Sequence, residues 1–300
     1  MCKTIYNRGS NTKDFTIHGF RSNDDKGYCA STNSFEDIIF SVIVPVKGSL
    51  NKKWLEYLDK VFSHNSEIIL IGENISHFTP LSRKIVLMEA KCNRSQARNL
   101  GLSICKGDLV FFLDMDQVPS KRLVSEAIEL FKKGYDMIKI PERFIGATLW
   151  GRASALWKMS IQEVDKGYGC IPRIYSKKVF SRVGGFDADL DILEDFILYL
   201  RARKADLKEA WASSPLYHFE QHNLKEIIEK SYFYVKALYS LRIKGVENKT
   251  ILTKYMKAIY AFIKMMTSKE GLRVKICCIA LIAFRLLLII LQFIGRIIRI

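Results

Sequence analysis

Apolar residues fall in short unbroken runs in the first half of this chain and at helical spacing in the second. The runs Ile38-Ile39-Phe40-Ser41-Val42-Ile43-Val44-Pro45, Glu67-Ile68-Ile69-Leu70-Ile71 and Leu109-Val110-Phe111-Phe112-Leu113 are branched or aromatic and end at turn residues or acids. Such runs predict strands of a parallel sheet buried on both faces. Ile85–Leu87 and Tyr135–Ile140 read as two further strands, the second closed by Pro141. Helical spacing occupies 51–63, Ser95–Cys105, and a stretch opened by Pro119 and capped by Gly134. Strands alternating with helices predict an α/β fold, a mostly parallel sheet flanked by helices. A helix is expected from Glu194 to about Lys204, and longer ones over 223–243 and 248–267. Between them, 142–180 mixes Trp150, Trp157, Tyr168 and Tyr175 with Gly146, Gly151, Gly167 and Gly169. That mixture reads as a loop-rich cleft wall.

The two ends differ from the middle. Residues 1–37 are polar and aperiodic, an expected N-terminal extension with no signal-peptide core. The last segment, Ile276–Ile300, has uncharged runs of only nine and ten residues, whereas a spanning helix needs about 20. Arg285 at mid-bilayer would cost ~2.5–3.5 kcal/mol. Arg285, Gln292, Arg296 and Arg299 share one arc of a helical wheel. The expectation is an amphipathic helix over 273–300 lying in the membrane interface with a basic face, a single membrane pass being the alternative. The predicted division is 1–37, a domain over 38–220, and a basic helical tail over 221–300.

Charge sharpens this picture. The net charge is +16. Residues 221–300 hold fifteen Lys/Arg against four Glu, a net +11, and the other 220 residues carry +5. A basic segment beside an apolar one fits an anionic membrane surface. Nucleic acid is the weaker rival and is not expected as a partner: there is no zinc-finger spacing, RNA-binding aromatic signature or helix-turn-helix pattern. Seven scattered cysteines without Cys-x-x-Cys read as reduced thiols.

The candidate chemistry starts at the end of the third long run. Asp114 and Asp116 follow Leu113 at once. Ligands of open α/β sheets bind at the carboxyl ends of strands. Two carboxylates there suit Mg²⁺ or Mn²⁺ on a diphosphate.

Four stretches in order resemble the GT-A-fold glycosyltransferases of family 2. They are Ser41–Val46; Asn93–Leu102 with Lys106-Gly107-Asp108 through Asp116; Pro172–Phe180 through Gly184-Gly185-Phe186-Asp187; and Glu194-Asp195 opening a helix. Seventy-eight residues separate Asp116 from Asp195. The resemblance implies a Rossmann-like nucleotide-diphospho-sugar transferase fold with a membrane-associating helical tail. It implies an inverting transfer of one sugar from a nucleotide-diphosphate sugar to a lipid-linked or glycan acceptor. Pro45, Val46, Glu73, Arg98 and Asp114 would face the nucleotide sugar. Asp116, Asp114 and His218 would hold the metal, with His218 at the far edge of the sheet and His222 a weaker candidate. Arg173 would line the acceptor side. Asp195 would be the general base beside Glu194, which could equally cap its helix. An acceptor that arrives as an ionised phosphate would need no base, and Asp195 would then orient it.

Departures exist. Gly72 and Glu73 stand where the family has base-reading aspartates, and Ile197 replaces a frequent acid. The Gln-x-x-Arg-Trp motif of processive synthases is absent, which implies single-sugar transfer. Two rival readings are a non-catalytic nucleotide-binding relative and a basic membrane-surface interaction protein.

Overall fold

The computed structural model describes residues 40–297 except 63–64, 166–169, 191, 221–222 and 244–247, and only the backbone of 236–243, 248–255 and 293–297. The extension 1–37 and the candidates Gly167, Tyr168, Gly169, His222 and Arg299 lie outside the described residues, as does the Arg296 side chain.

In chain order the first half runs β1 (Phe40–Val46), α1 (Lys52–Val61), β2 (Glu67–Gly72), β3 (Ile85–Glu89), α2 (Arg94–Ile104), β4 (Leu109–Phe112), β5 (Gln117–Val118), α3 (Lys121–Lys132), β6 (Met137–Lys139) and β7 (Glu142–Gly146). The second half runs α4 (Leu149–Val164), β8 (Pro172–Ser176), α5 (Lys178–Val183), α6 (Glu194–Lys204), β9 (Glu209–Trp211), β10 (Leu216–Glu220), α7 (Leu224–Ile243), α8 (Asn248–Thr267) and α9 (Leu272–Ile297).

The main sheet has the order β3-β2-β1-β4-β8-β6-β9. It is parallel except for β8, which runs antiparallel to both β4 and β6. Alternate residues of each strand feed two cores. Val42, Val44, Ile68, Leu70, Leu109 and Phe111 pack on the α1 and α3 side. Ile43, Ile69, Ile71, Val110 and Phe112 pack on the side of α2 and α6. Burial of both pleat faces explains why these strands read as unbroken apolar runs.

A second, three-stranded sheet has the order β5-β10-β7, with β10 antiparallel to β5 and parallel to β7. Side-chain caps begin the helices: Asn51 for α1, Asn93 with Gln96 as a capping box for α2, Ser120 for α3 and Thr148 for α4. The cap of α3 is Ser120, so Pro119 stands one residue outside the helix rather than in its first turn.

The expected loop-rich wall is instead built on a helix, the sixteen-residue α4. Gly151 permits its close approach to β10, since a Cβ there would lie 2.7 Å from the Glu220 carbonyl oxygen. Ala153, Ser154 and Ala155 are buried on it. A third, smaller core joins α4 to α7, α8 and α9 through Ala153, Leu156, Ile227, Met265, Val274, Cys278 and Leu281.

Candidate functional site

The carboxyl ends of β1, β2 and β4 meet at one edge of the main sheet. Pro45 and Val46 end β1, and Val46 pairs with Gly72 at the end of β2. A Cβ on residue 72 would lie 2.3 Å from the Val46 carbonyl oxygen, so no aspartate fits where the family resemblance expects one. Glu73, immediately beyond, is exposed. The loop after it is shaped by Glu89, whose carboxylate accepts from the backbone N–H groups of Asn74 (2.5 Å), Ile75 (3.0 Å) and Ser76 (2.9 Å). Those hydrogen bonds hold the Glu89 carboxyl below its usual value.

From the β4 end a chain of alternating charges crosses the molecule. Arg98 of α2 is only 1% exposed. Its Nη1 donates to Glu194 Oε1 at 2.8 Å and its Nη2 to Asp114 Oδ1 at 3.0 Å. The other oxygen of Asp114 accepts from Arg173 Nη1 at 3.2 Å. Arg173 Nε donates to Glu142 Oε1 at 3.0 Å. Glu142 Oε2 lies 2.7 Å from His218 Nδ1, and His218 Nε2 lies 3.2 Å from Asp116 Oδ2. Removing these charges from water is costly, and the inner members, Arg98, Asp114, Arg173, Glu142 and His218, are each offset by two opposite neighbours.

The chain sets protonation. Burial alone would raise the Asp114 carboxyl, but Arg98, Arg94 and Arg173 outweigh it and hold it far below the usual range. Burial pulls His218 down, yet its hydrogen bonds to Asp116 and Glu142 leave it raised to about 9. Glu142 is desolvated and still lowered to about 2 by Arg173 and His218. At the other end, burial and the charge of Asp195 push Glu194 up to about 7, against the pull of Arg98 and Arg94.

Local backbone explains how the acids of α6 are aimed. Leu193, before the helix, has φ 67°, a left-handed conformation that is a genuine outlier for a branched residue. It makes no side-chain cap. Glu194 turns inward to Arg98, so it is a buried partner rather than a helix cap. Asp195 stays part-exposed, accepting from the Phe196 N–H at 2.8 Å.

These placements correct several expectations. Arg98 lies behind the acids, packed 5.3 Å from the Phe186 ring centroid, not on the cleft surface. His218 sits on β10, the central strand of the second sheet, not at an outer edge. Asp114 has both oxygens on guanidinium groups, which takes it out of the expected metal set. Among the described residues, no three His, Cys, Asp or Glu side chains gather as a metal cluster.

The residues present still fit a cation. Asp116 Oδ1 is buried and has no hydrogen-bond partner. A hard oxygen ligand left unpaired beside an imidazole nitrogen suits Mg²⁺ or Mn²⁺, which commonly take one or two protein ligands and complete their shell with phosphate oxygens and water. The sequence reading missed Glu142, which fixes both Arg173 and His218. Its position just after Pro141, at the start of a strand, was the available signal.

The tail differs from expectation as well. Arg285 does not face outward: its Nε donates to Ser231 Oγ on α7 at 3.0 Å. Polar contacts are thus made on the protein side of α9. Its outer side exposes Ile276, Leu286, Leu287 and Ile290. Leu272–Gln292 is, among the described residues, the one helix long and apolar enough to cross a membrane.

Known proteins resemble this chain in sequence family and in fold. Residues 41–182 match the family described as glycosyl transferase family 2. The mannosyltransferase PcManGT from Pyrobaculum calidifontis, solved with GDP-Man and Mn²⁺, superposes with TM-score 0.56 at 13% identity, over 90% of this chain and 91% of that one. S. aureus TarS 1-349 with UDP-GlcNAc gives TM-score 0.46 at 14% identity, over 84% and 82%. The chain covers only 39% of a longer TarS structure, at TM-score 0.44 and 16% identity, with 66% of its own residues aligned. No curated protein sequence matches it. The likeness to PcManGT establishes a GT-A-type fold.

Proposed function

We propose that this chain, a glycosyl transferase family 2 protein over residues 41–182, transfers one sugar with inversion from a nucleotide-diphosphate sugar to a membrane-borne acceptor. The observation that carries this reading is the buried, unpaired Asp116 Oδ1 beside His218 at the carboxyl end of β4. Asp116 would hold a divalent cation there, joined by His218 once its Nε2 gives up the proton it directs at Asp116. When bound, such an ion neutralises the charge that grows on a departing diphosphate. Asp114 keeps Arg98 and Arg173 in place, and with them the shape of the cleft. The ends of β1 and β2, with Glu73 and the Glu89-bound loop, form the donor wall. Asp195 takes the proton from a hydroxyl acceptor or, where the acceptor arrives ionised, orients it.

The same reading places the protein on a membrane surface at the cytoplasmic face. Ile259, Ile263 and Met266 of α8, with Ile276, Leu287 and Ile290 of α9, are exposed apolar side chains. Lys269 stands in the turn between the two helices, and Arg273 and Lys275 in the first turn of α9. Apolar faces flanked by lysine and arginine suit an anionic bilayer.

The test is release of nucleoside diphosphate from a panel of sugar nucleotides, with and without Mn²⁺ or Mg²⁺, on detergent-solubilised protein with lipid extract. Metal-dependent release from one donor is expected, with a fall of about 10³-fold in Asp116→Ala, several kcal/mol of lost stabilisation. Nucleotide binding without release would favour the non-catalytic relative. Absence of nucleotide binding would end the enzymatic reading.

A further inference from the structure

Gln117, the first residue of β5, is fully buried, although glutamine is mostly an exposed residue. It closes the acidic loop from both ends. Its backbone N–H donates to the Asp114 carbonyl at 3.0 Å, which makes Asp114–Gln117 a turn. Its side-chain Oε1 accepts from the Asp114 N–H, also at 3.0 Å. One residue thus satisfies both the backbone donor and the backbone acceptor of Asp114, and Met115 and Asp116 are held between the two bonds.

The same residue fixes how this loop meets its surroundings. Gln117 lies opposite His218 in the antiparallel pair of β5 with β10. One residue further along each strand, the Phe219 N–H donates to the Asp116 carbonyl at 2.8 Å. Gln117 Nε2 stands 3.4 Å from His218 Nδ1, beside the shorter contact of that nitrogen with Glu142 at 2.7 Å. On the other side the Gln117 carbonyl accepts from the indole N–H of Trp54 on α1 at 2.8 Å. Tyr57, one turn along the same helix, donates its hydroxyl to the Pro119 carbonyl at 2.9 Å. Gln117 therefore ties the end of β4, the second sheet and α1 at one point.

This matters for the acid that it flanks. Asp116 Oδ1 has no hydrogen-bond partner, so the backbone on either side of the residue decides where that oxygen points. Small divalent cations demand closely set ligand directions. Groups standing behind the ligands commonly change metal affinity by about 10–100-fold.

We propose that Gln117 is the positioning residue of the cation site: it holds Asp116 against His218 and so sets the affinity of the pair for a divalent ion. This rests on the reading of Asp116 as a cation ligand and adds a residue to it. Gln117 acts through the loop and not as a ligand, since its Oε1 is committed to the Asp114 N–H. A glutamine that served folding alone would lower stability when replaced and leave the affinity for the ion where it was.

The experiment titrates Mn²⁺ into the full chain in detergent, first alone and then with UDP or GDP present, and follows the EPR signal of free Mn²⁺. The main variant is Gln117→Met, which keeps the length of the side chain and removes both of its polar contacts. Its Mn²⁺ dissociation constant is expected to rise about 10–100-fold. Binding of UDP and GDP in EDTA should not move. The variant leaves the Asp114 N–H buried and unpaired, which costs stability, so urea midpoints are recorded alongside. Trp54→Phe is the milder companion. It keeps a ring in the core, takes one hydrogen bond from the Gln117 carbonyl, and should raise the Mn²⁺ constant about threefold. An unchanged Mn²⁺ constant in Gln117→Met, even with a lowered midpoint, would overturn the proposal and leave Gln117 a folding residue. Where Gln117→Met does not fold, Trp54→Phe decides: a raised constant supports the proposal and an unchanged one overturns it. An equal loss of nucleotide binding in EDTA would mean that the whole cleft had changed, and would overturn it too. Absence of Mn²⁺ binding to the unmodified protein, with and without nucleotide, would instead strike the cation reading itself and this proposal with it.

Discussion

The sheet half of this protein and its helical corner treat apolar surface in opposite ways. In the sheet half, β1, β2 and β4 are covered on both faces, and their side chains divide between two cores. In the corner, α8 and α9 share one small core with α4 and α7 and leave their outer faces bare. Ion pairs follow the same division. Arg98 is sealed between Glu194 and Asp114, whereas Arg152 of α4 meets Glu270 in the open, the two side chains 51% and 37% exposed. One half is stabilised by what it hides. The other keeps apolar area available for an environment outside the chain, which is the ordinary meaning of a large exposed apolar face.

The sharpest way to break the comparison is through the arginines. Arg98→Met takes the close partner from the buried Glu194 and one of two guanidinium partners from Asp114, and a loss of about 3–5 kcal/mol of folding stability is expected in denaturant titration. Arg152→Met removes an exposed pair, and a change of about 0–1 kcal/mol is expected from the same measurement. Comparable losses at both positions would erase the distinction.

A second effect tests the charge chain through pH. Glu194 is raised from an ordinary 4.5 to about 7 in the folded state. The folded protein therefore binds a proton the unfolded chain has released. Its contribution to stability is full below about 4.5 and is lost as pH rises through about 7. Glu194→Gln should flatten the decline in stability between pH 5 and 8, read by urea midpoints across that range. A decline unchanged in the variant would place the titrating group elsewhere.

The smallest expected change in fold stability is the most informative about the corner. Leu287→Ser on α9 should shift the urea midpoint by less than about 0.5 kcal/mol, since the residue is already exposed. It should weaken partition onto anionic vesicles by about tenfold, the worth of one large apolar side chain. Unchanged partition would remove α9 from the membrane surface.

These contrasts also explain what was legible in the sequence. β1, β2 and β4 could be read directly because two-sided burial leaves no polar interruption. Glu194 was visible as the start of α6, but not its inward turn, which depends on the left-handed Leu193. α4 was hidden because Gly151 sits where its backbone presses on β10, and a glycine among tryptophans resembles a loop. Asp114 and Asp116 announced the cleft. Their different fates did not show, since only the fold brings Arg98, Arg173 and His218 to opposite sides of two residues so close in sequence. For the same reason the helical-wheel arc of Arg285 could be read as outward-facing, although Ser231 turns it inward.

That Arg285–Ser231 hydrogen bond bears on how the protein can be prepared. A C-terminal apolar helix invites truncation to obtain a well-behaved enzyme. Here a cut at Gly271 would take Val274, Cys278 and Leu281 out of the core they share with α4 and α7. It would also free the segment of α7 next to Lys230. The shortened protein would show a cleft wall that the intact one does not have. Solubilising substitutions confined to Leu286, Leu287, Ile290 and Leu291 would keep that wall while removing the sticky face.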